Sequence, residues 1–139
     1  MTKKNPMGTW AELESLRYLQ NLGFRLIQQN YHSRFGEIDL ILYKEKDLIF
    51  VEVKARSKTQ FGCAHEVVSK SKQKKIIQTA ADFLSKKPEY HEFYCRFDVI
   101  CFNFAQRFSK SIQYDFSNRH YDLNWIENAF TFDSEFISL

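Results

Sequence analysis

Residues 36–54, GEIDLILYKEKDLIFVEVK, decide the fold. EIDLILY (37–43) and LIFVEVKA (48–55) read as strong strands, rich in Ile, Val, Leu and Phe, and KEKD between them reads as a tight polar connection. Four charged side chains, Glu37, Asp39, Glu52 and Lys54, interrupt these apolar runs. Alternate residues of a strand share a face, so Glu37 and Asp39 point one way while Ile38, Leu40 and Leu42 point the other. On the second strand Glu52 and Lys54 share a face opposite Ile49, Val51 and Val53. If KEKD closes a symmetric hairpin with Tyr43 facing Leu48, Asp39 lies across from Glu52 and Glu37 across from Lys54.

Directly opposed residues have Cβ atoms about 4.5–5.5 Å apart, and like charges there are destabilising unless a positive charge intervenes. Hard divalent cations such as Mg²⁺ or Mn²⁺ take carboxylate oxygens and keep several waters, so two converging carboxylates suit them. Lys54, next along the face, places an ammonium where charge develops on a phosphate. A metal and a cation are the parts that metal-assisted phosphodiester hydrolysis requires. The alternative is a charged hairpin face resting in water. A one-residue change of register would put Asp39 and Glu52 on opposite faces and remove the metal reading.

Outward from this hairpin, residues 9–22 place Trp10, Leu13, Leu16, Leu19 and Leu22 at helical spacing, with Gly23 as the stop. Residues 24–31 (FRLIQQNY) predict a strand ahead of the hairpin, giving three antiparallel strands in a row. After a loop containing Gly62, residues 66–86 predict a long helix, basic in its first half and apolar at Ile76, Ile77, Ala80, Phe83 and Leu84, ended by Pro88. EFYCRFDVICFNF (92–104) predicts a fourth strand beside the others, with Arg96 and Asp98 as an ion pair. In the aromatic last third, SIQYDF (111–116) is a candidate fifth strand, NWIENAF (124–130) a short helix or turn, and FDSEFISL (132–139) a frayed tail. The 139 residues fit one domain, with a short basic N-terminal arm.

The net charge of +3 is unevenly spread: residues 1–75 carry 14 Lys and Arg against 8 Asp and Glu, and residues 76–139 carry 6 against 9. The front of the chain therefore suggests an anionic partner, with a solvated face as the alternative. Cys63, Cys95 and Cys101 have no C-x-x-C spacing and leave an odd count, which argues against a disulfide framework or zinc site and predicts a reducing, cytoplasmic setting. No apolar run is long enough for a signal sequence or a membrane span. Between residues 54 and 75, Lys54, Arg56, Lys58, Lys70, Lys72, Lys74 and Lys75 face only Glu66 in opposite charge. Such a stripe beside an acidic site matches a nucleic-acid backbone, with Arg34 as a further phosphate contact; a solvated helix face is the alternative.

The stretches Gly36-Glu37-Ile38-Asp39-Leu40-Ile41, Phe50-Val51-Glu52-Val53-Lys54-Ala55-Arg56 and Phe61-Gly62 resemble the YraN-type family of bacterial proteins of uncharacterised function. That family is similar to the archaeal Holliday-junction resolvases of the restriction-endonuclease-like PD-(D/E)xK superfamily. Further matching residues run from Gly8 and Glu12 through Asn30-Tyr31, Lys72-Gln73 and Arg96-Phe97-Asp98-Val99 to Asn128-Ala129-Phe130. The resemblance implies an α/β fold, an αβββαβ core with a mixed central sheet flanked by helices. It implies a Mg²⁺ or Mn²⁺ ion held by Asp39, Glu52 and the backbone carbonyl of Val53, with Lys54 as catalytic lysine and Glu12 as an additional acid. The implied activity is endonucleolytic hydrolysis of structured or branched DNA, with a homodimer as the working unit. A catalytically silent nucleic-acid-binding module of the same fold is the alternative. Where the family has Gly and Ala beside Glu12, this chain has Ala11 and Ser15, a difference of helix packing.

Overall fold

In the computed structural model, which describes residues 5–57, 68–105, 115–118 and 120–132, the chain runs α1 (Pro6–Asn21), β1 (Arg25–His32), β2 (Glu37–Lys44), β3 (Asp47–Arg56), α2 (Lys70–Lys86), β4 (Tyr94–Phe104) and β5 (Tyr121–Phe130). The five strands form one sheet in the order β1-β2-β3-β4-β5. Neighbours are antiparallel except β3 and β4, which run parallel. Parallel neighbours need a long crossover, and the segment containing α2 supplies it. This is the mixed, helix-flanked sheet with an αβββαβ core.

The β2–β3 register is the symmetric one: Tyr43 pairs with Leu48, and the ladder extends from Lys44↔Asp47 to Leu40↔Val51. Side chains then sort by face. Leu40, Leu42, Ile49, Val51, Ile100 and Phe102 pack with Ala11 and Leu19 of α1. Ile41, Leu48, Phe50 and Phe97 pack with Ile76, Ile77, Ala80 and Phe83 of α2. Ile38, expected beside Leu40 and Leu42, joins the α2 cluster instead, at a point where β2 has outrun its pairing with β3. On the α2 side Phe50 stacks on Phe97 at 5.4 Å and meets Phe83 edge-on at 6.0 Å. Each buried Phe of this kind contributes roughly 1.5–3 kcal/mol.

Several boundaries depart from the sequence reading, each for a local reason. α1 begins at Pro6, earlier than expected, because Pro suits the first helical position and the Asn5 carboxamide accepts from the Gly8 N–H at 2.7 Å. It ends as expected at Gly23, whose φ of 99° permits the Gly23 N–H to reach Gln20 O and the Phe24 N–H to reach Leu19 O. α2 begins at Lys70 rather than residue 66, since Ser69 caps it through the Lys72 N–H; residues 66 and 67 lie outside the described residues.

The largest correction is residues 124–130, which belong to strand β5 rather than a helix or turn. Of the expected SIQYDF strand, residues 111–114 lie outside the described residues, and Phe116 opens a short 3-10 turn, Phe116–Asn118, that packs on Trp10. Phe132 lies edge-on to Phe97 at 4.8 Å, and the rest of the expected tail lies outside the described residues. The aromatic residues Phe102, Phe104, Phe116 and Tyr121 surround Trp10 as packing. No helix among the described residues is long and apolar enough to cross a membrane.

Candidate active site

The β2–β3 ladder stops at Leu40↔Val51, and Asp39 takes over where it ends: its Oδ2 accepts a hydrogen bond from the Val53 N–H at 2.8 Å. The face of β3 that carries Leu48 and Phe50 into the core continues as Glu52 and then Lys54. Past the last apolar residue, the same alternation that built the core therefore delivers a carboxyl and an ammonium. The N-terminal turns of α2 cover this end of the sheet. Between them lies a cleft of about 460 Å³ lined by Gly36, Glu37, Asp39, Glu52, Val53, Ser69, Ser71, Lys72, Lys75 and Ile76.

Asp39 and Glu52 are both 5% exposed, and their carboxyl groups lie close enough for each to act on the other's ionisation. Burial, then the Asp39 carboxylate, pushes the Glu52 carboxyl up to about 8, against the opposing pull of Lys72 and Lys54. Lys72 Nζ stands 3.2 Å from Glu52 Oε2, yet that oxygen receives no well-directed hydrogen bond, so the contact is Coulombic. Burial also pulls the Lys54 ammonium down to about 8, and the neighbouring Lys72 adds to the effect. Burial acts on Lys72 in the same direction, but Glu52 and Lys54 outweigh it and its proton is held more firmly than in water. Two buried carboxyl groups, one with an oxygen lacking a hydrogen bond, and an open cleft for waters form a donor set suited to a hard divalent cation.

The strained protonation of Glu52 has a measurable consequence. Its folded pKa lies above the ordinary 4.5, so the fold favours the protonated form; stability is full below pH 4.5 and is lost as pH rises through about 8. Glu52→Gln removes that loss. In metal-free buffer, urea unfolding is expected to show the variant and the parent alike at pH 4, and the variant more stable by up to about 4 kcal/mol at pH 8. Curves that stay superimposed at pH 8 would show that Glu52 is not held in this state.

The structure separates the residues named from sequence. Asp39, Glu52 and Val53 converge on the cleft, and Lys54 adjoins Glu52. Glu12 is buried on α1 but is not among the cleft-lining residues. The Asn30 carboxamide, oriented by its two acceptors, donates to Glu12 Oε1 at 3.1 Å and to Glu37 Oε1 at 2.8 Å, connecting Glu12 to the cleft wall. Among the described residues no three His, Cys, Asp or Glu side chains gather as one metal ligand set. Asp39 and Glu52 are the carboxyl pair at the cleft, and Glu12 stands one link away.

The lysine stripe divides by helical geometry. Lys72 and Lys75 share the face of Ile76 and line the cleft, whereas Lys70 and Lys74 lie about half a turn away and are exposed. Arg56 is half-buried at the end of β3, Arg34 is exposed over the Phe35 ring at 4.8 Å, and Lys58 lies outside the described residues. Sequence reasoning missed Asn30, Ser69, Ser71 and the role of Glu37 as cleft wall. Ser69 had a signal, a Ser immediately ahead of a helical run. Asn30 stood only among the residues of the family resemblance, with no role attached, since its φ of 52° and its two carboxylate partners are products of tertiary structure. The loop before Glu37 is fixed by the Ser33 N–H to Gly36 O bond at 2.8 Å and by Ser33 Oγ against Thr79 Oγ1 of α2 at 2.9 Å.

Comparison with known proteins gives a consistent result. Residues 11–102 match the model of the uncharacterised protein family UPF0102. A UPF0102 protein of Acinetobacter baumannii strain SDF is 54% identical over 133 residues, covering 96% of this chain and 100% of the relative. One from Acinetobacter baylyi is 55% identical over 125 residues (90% and 89% covered), and one from Saccharophagus degradans 37% identical over 131 residues (94% and 98% covered).

Proposed function

The chain belongs to the uncharacterised protein family UPF0102, and on the geometry of its cleft we propose that it is a metal-dependent endonuclease of the restriction-endonuclease-like superfamily, hydrolysing phosphodiester bonds in structured or branched DNA. One observation carries this reading: two carboxyl groups buried against each other at the end of a sheet, with two ammonium groups beside them. A like-charge pair of this kind costs stability in the protein alone and is typical of functional sites. Asp39 and Glu52 would hold a Mg²⁺ or Mn²⁺ ion, which when bound supplies activation of water and charge neutralisation at phosphorus.

The chain's own groups do the rest. Asp39 is aimed by the Val53 N–H, so its second oxygen is free of rotation at the cleft. Lys54 Nζ, with its proton affinity lowered to about 8, both attracts the phosphate and exchanges a proton near neutral pH. Lys75 and Ser71 line the cleft beside the N-terminal end of α2, where the helix dipole adds to the attraction for an anion.

The test is incubation of labelled four-way-junction, duplex and single-stranded DNA with the protein in Mg²⁺ or Mn²⁺ and in EDTA. Metal-dependent cutting of at least one substrate is expected, falling about 10²-fold in Lys54→Ala while DNA binding persists. Binding without cutting in either metal would leave a nucleic-acid-binding module and overturn the enzymatic reading.

A further inference from the structure

Lys72 is a cleft residue whose side chain meets a proposed metal ligand. It reaches from α2 to place Nζ 3.2 Å from Glu52 Oε2, the buried oxygen without a hydrogen bond, while its own side chain remains 43% exposed. The backbone that carries it is fixed, because the Lys72 N–H is held by the Ser69 cap. Lys54 lies beside it on the neighbouring strand. In the protein alone, therefore, a tethered monovalent cation sits on an oxygen that a divalent cation would need.

We propose that Lys72 is an internal counter-ion that a divalent cation must displace, and that the displaced ammonium becomes a contact for the phosphodiester. The inference rests on the reading of the cleft as a divalent-cation site. Its logic is charge and reach. With two lysines already facing two carboxyl groups, a dication added to the cleft leaves excess positive charge, and a phosphate anion compensates it. A four-carbon stem with a half-exposed course carries the ammonium from Glu52 toward the open side of the cleft without moving the helix. Metal and polyanion binding are then coupled through one side chain, each promoting the other. This differs from an ordinary phosphate-binding lysine, whose removal leaves metal affinity unaltered.

The measurement is calorimetric titration of Mn²⁺ into the intact chain, comparing the parent with Lys72→Met and Lys72→Arg, in the absence of DNA. Loss of the competitor is expected to tighten Mn²⁺ binding about tenfold in Lys72→Met, and Lys72→Arg is expected to stay near the parent because the charge is kept. On duplex DNA in Mg²⁺-containing buffer, Lys72→Met is expected to reduce the salt slope of binding by about one. If the parent binds Mn²⁺ and Lys72→Met binds it no more tightly, the counter-ion role is overturned and the metal site stands. If neither the parent nor either variant binds Mn²⁺, the reading of the cleft itself falls, and this inference with it. Circular dichroism of the variants checks that the half-exposed substitution leaves the fold intact.

Discussion

Asp39→Asn is expected to lower metal-dependent cleavage about 10³-fold or more while leaving the fold standing. The two effects separate because Asp39 has two tasks. Its Oδ2 accepts the Val53 N–H, and an Asn carbonyl oxygen accepts that bond equally well. Its charge opposes Glu52 and at the same time attracts the Lys54 and Lys72 ammonium groups. Asn removes a repulsion and two attractions together, and the variant is expected to melt close to the parent. A thousandfold loss corresponds to about 4 kcal/mol of transition-state stabilisation, an ordinary magnitude for a metal ligand. Single-turnover cleavage and a thermal melt on one preparation check both halves. Loss of activity accompanied by unfolding would assign Asp39 to structure alone.

Asp98→Ala is expected to produce the opposite pattern, a loss of stability of about 3–5 kcal/mol. Asp98 is completely buried and accepts from Arg96 Nε at 3.0 Å, Arg96 Nη2 at 3.1 Å, Trp125 Nε1 at 2.9 Å and the Asn128 N–H at 3.0 Å. Truncation leaves a guanidinium, an indole and a backbone donor without their acceptor. It also releases β5 where three of its residues, Glu127 to Ala129, lie between pairings that are only two residues apart on β4. By contrast, Glu127→Ala removes only the exposed end of the network and is expected to cost under about 1 kcal/mol. Urea denaturation of the three proteins checks the ranking. Equal midpoints for Asp98→Ala and Glu127→Ala would mean that Asp98 does not hold the edge strand.

The same network shows why the last strand was illegible in sequence. Tyr121, Leu123 and Trp125 pack on the α1 side of the sheet, but Ile126 and Phe130 pack on the other. The faces alternate throughout, but burial moves from the odd residues of the α1 face to the even residues Ile126 and Phe130 of the other, with the bulge and the φ of 52° at Asn128 between them, so no single period-two apolar pattern runs along the segment. β2 and β3 were legible for the converse reason. Their ladder is regular from Lys44↔Asp47 to Leu40↔Val51, and a two-residue turn fixes the register on which the Asp39–Glu52 reading depends. The distinction among the lysines followed from where α2 meets the sheet: half-buried Lys72 and exposed Lys75 border the cleft beside Ile76, while Lys70 and Lys74 do not. Composition along the stripe carries no such information. The path from Glu12 through Asn30 to Glu37 joins three elements far apart in sequence, and only the assembled sheet brings them together.

The central claim is that Asp39 and Glu52 form one divalent-cation site, and calorimetric titration of Mn²⁺ at pH 7 in two buffers of different ionisation enthalpy tests it most directly. Because Glu52 carries its proton up to about pH 8, binding is expected to release about one proton per ion, with one ion per chain, and to disappear in Asp39→Asn. No binding by the parent, or binding that Asp39→Asn leaves unchanged, would contradict the account.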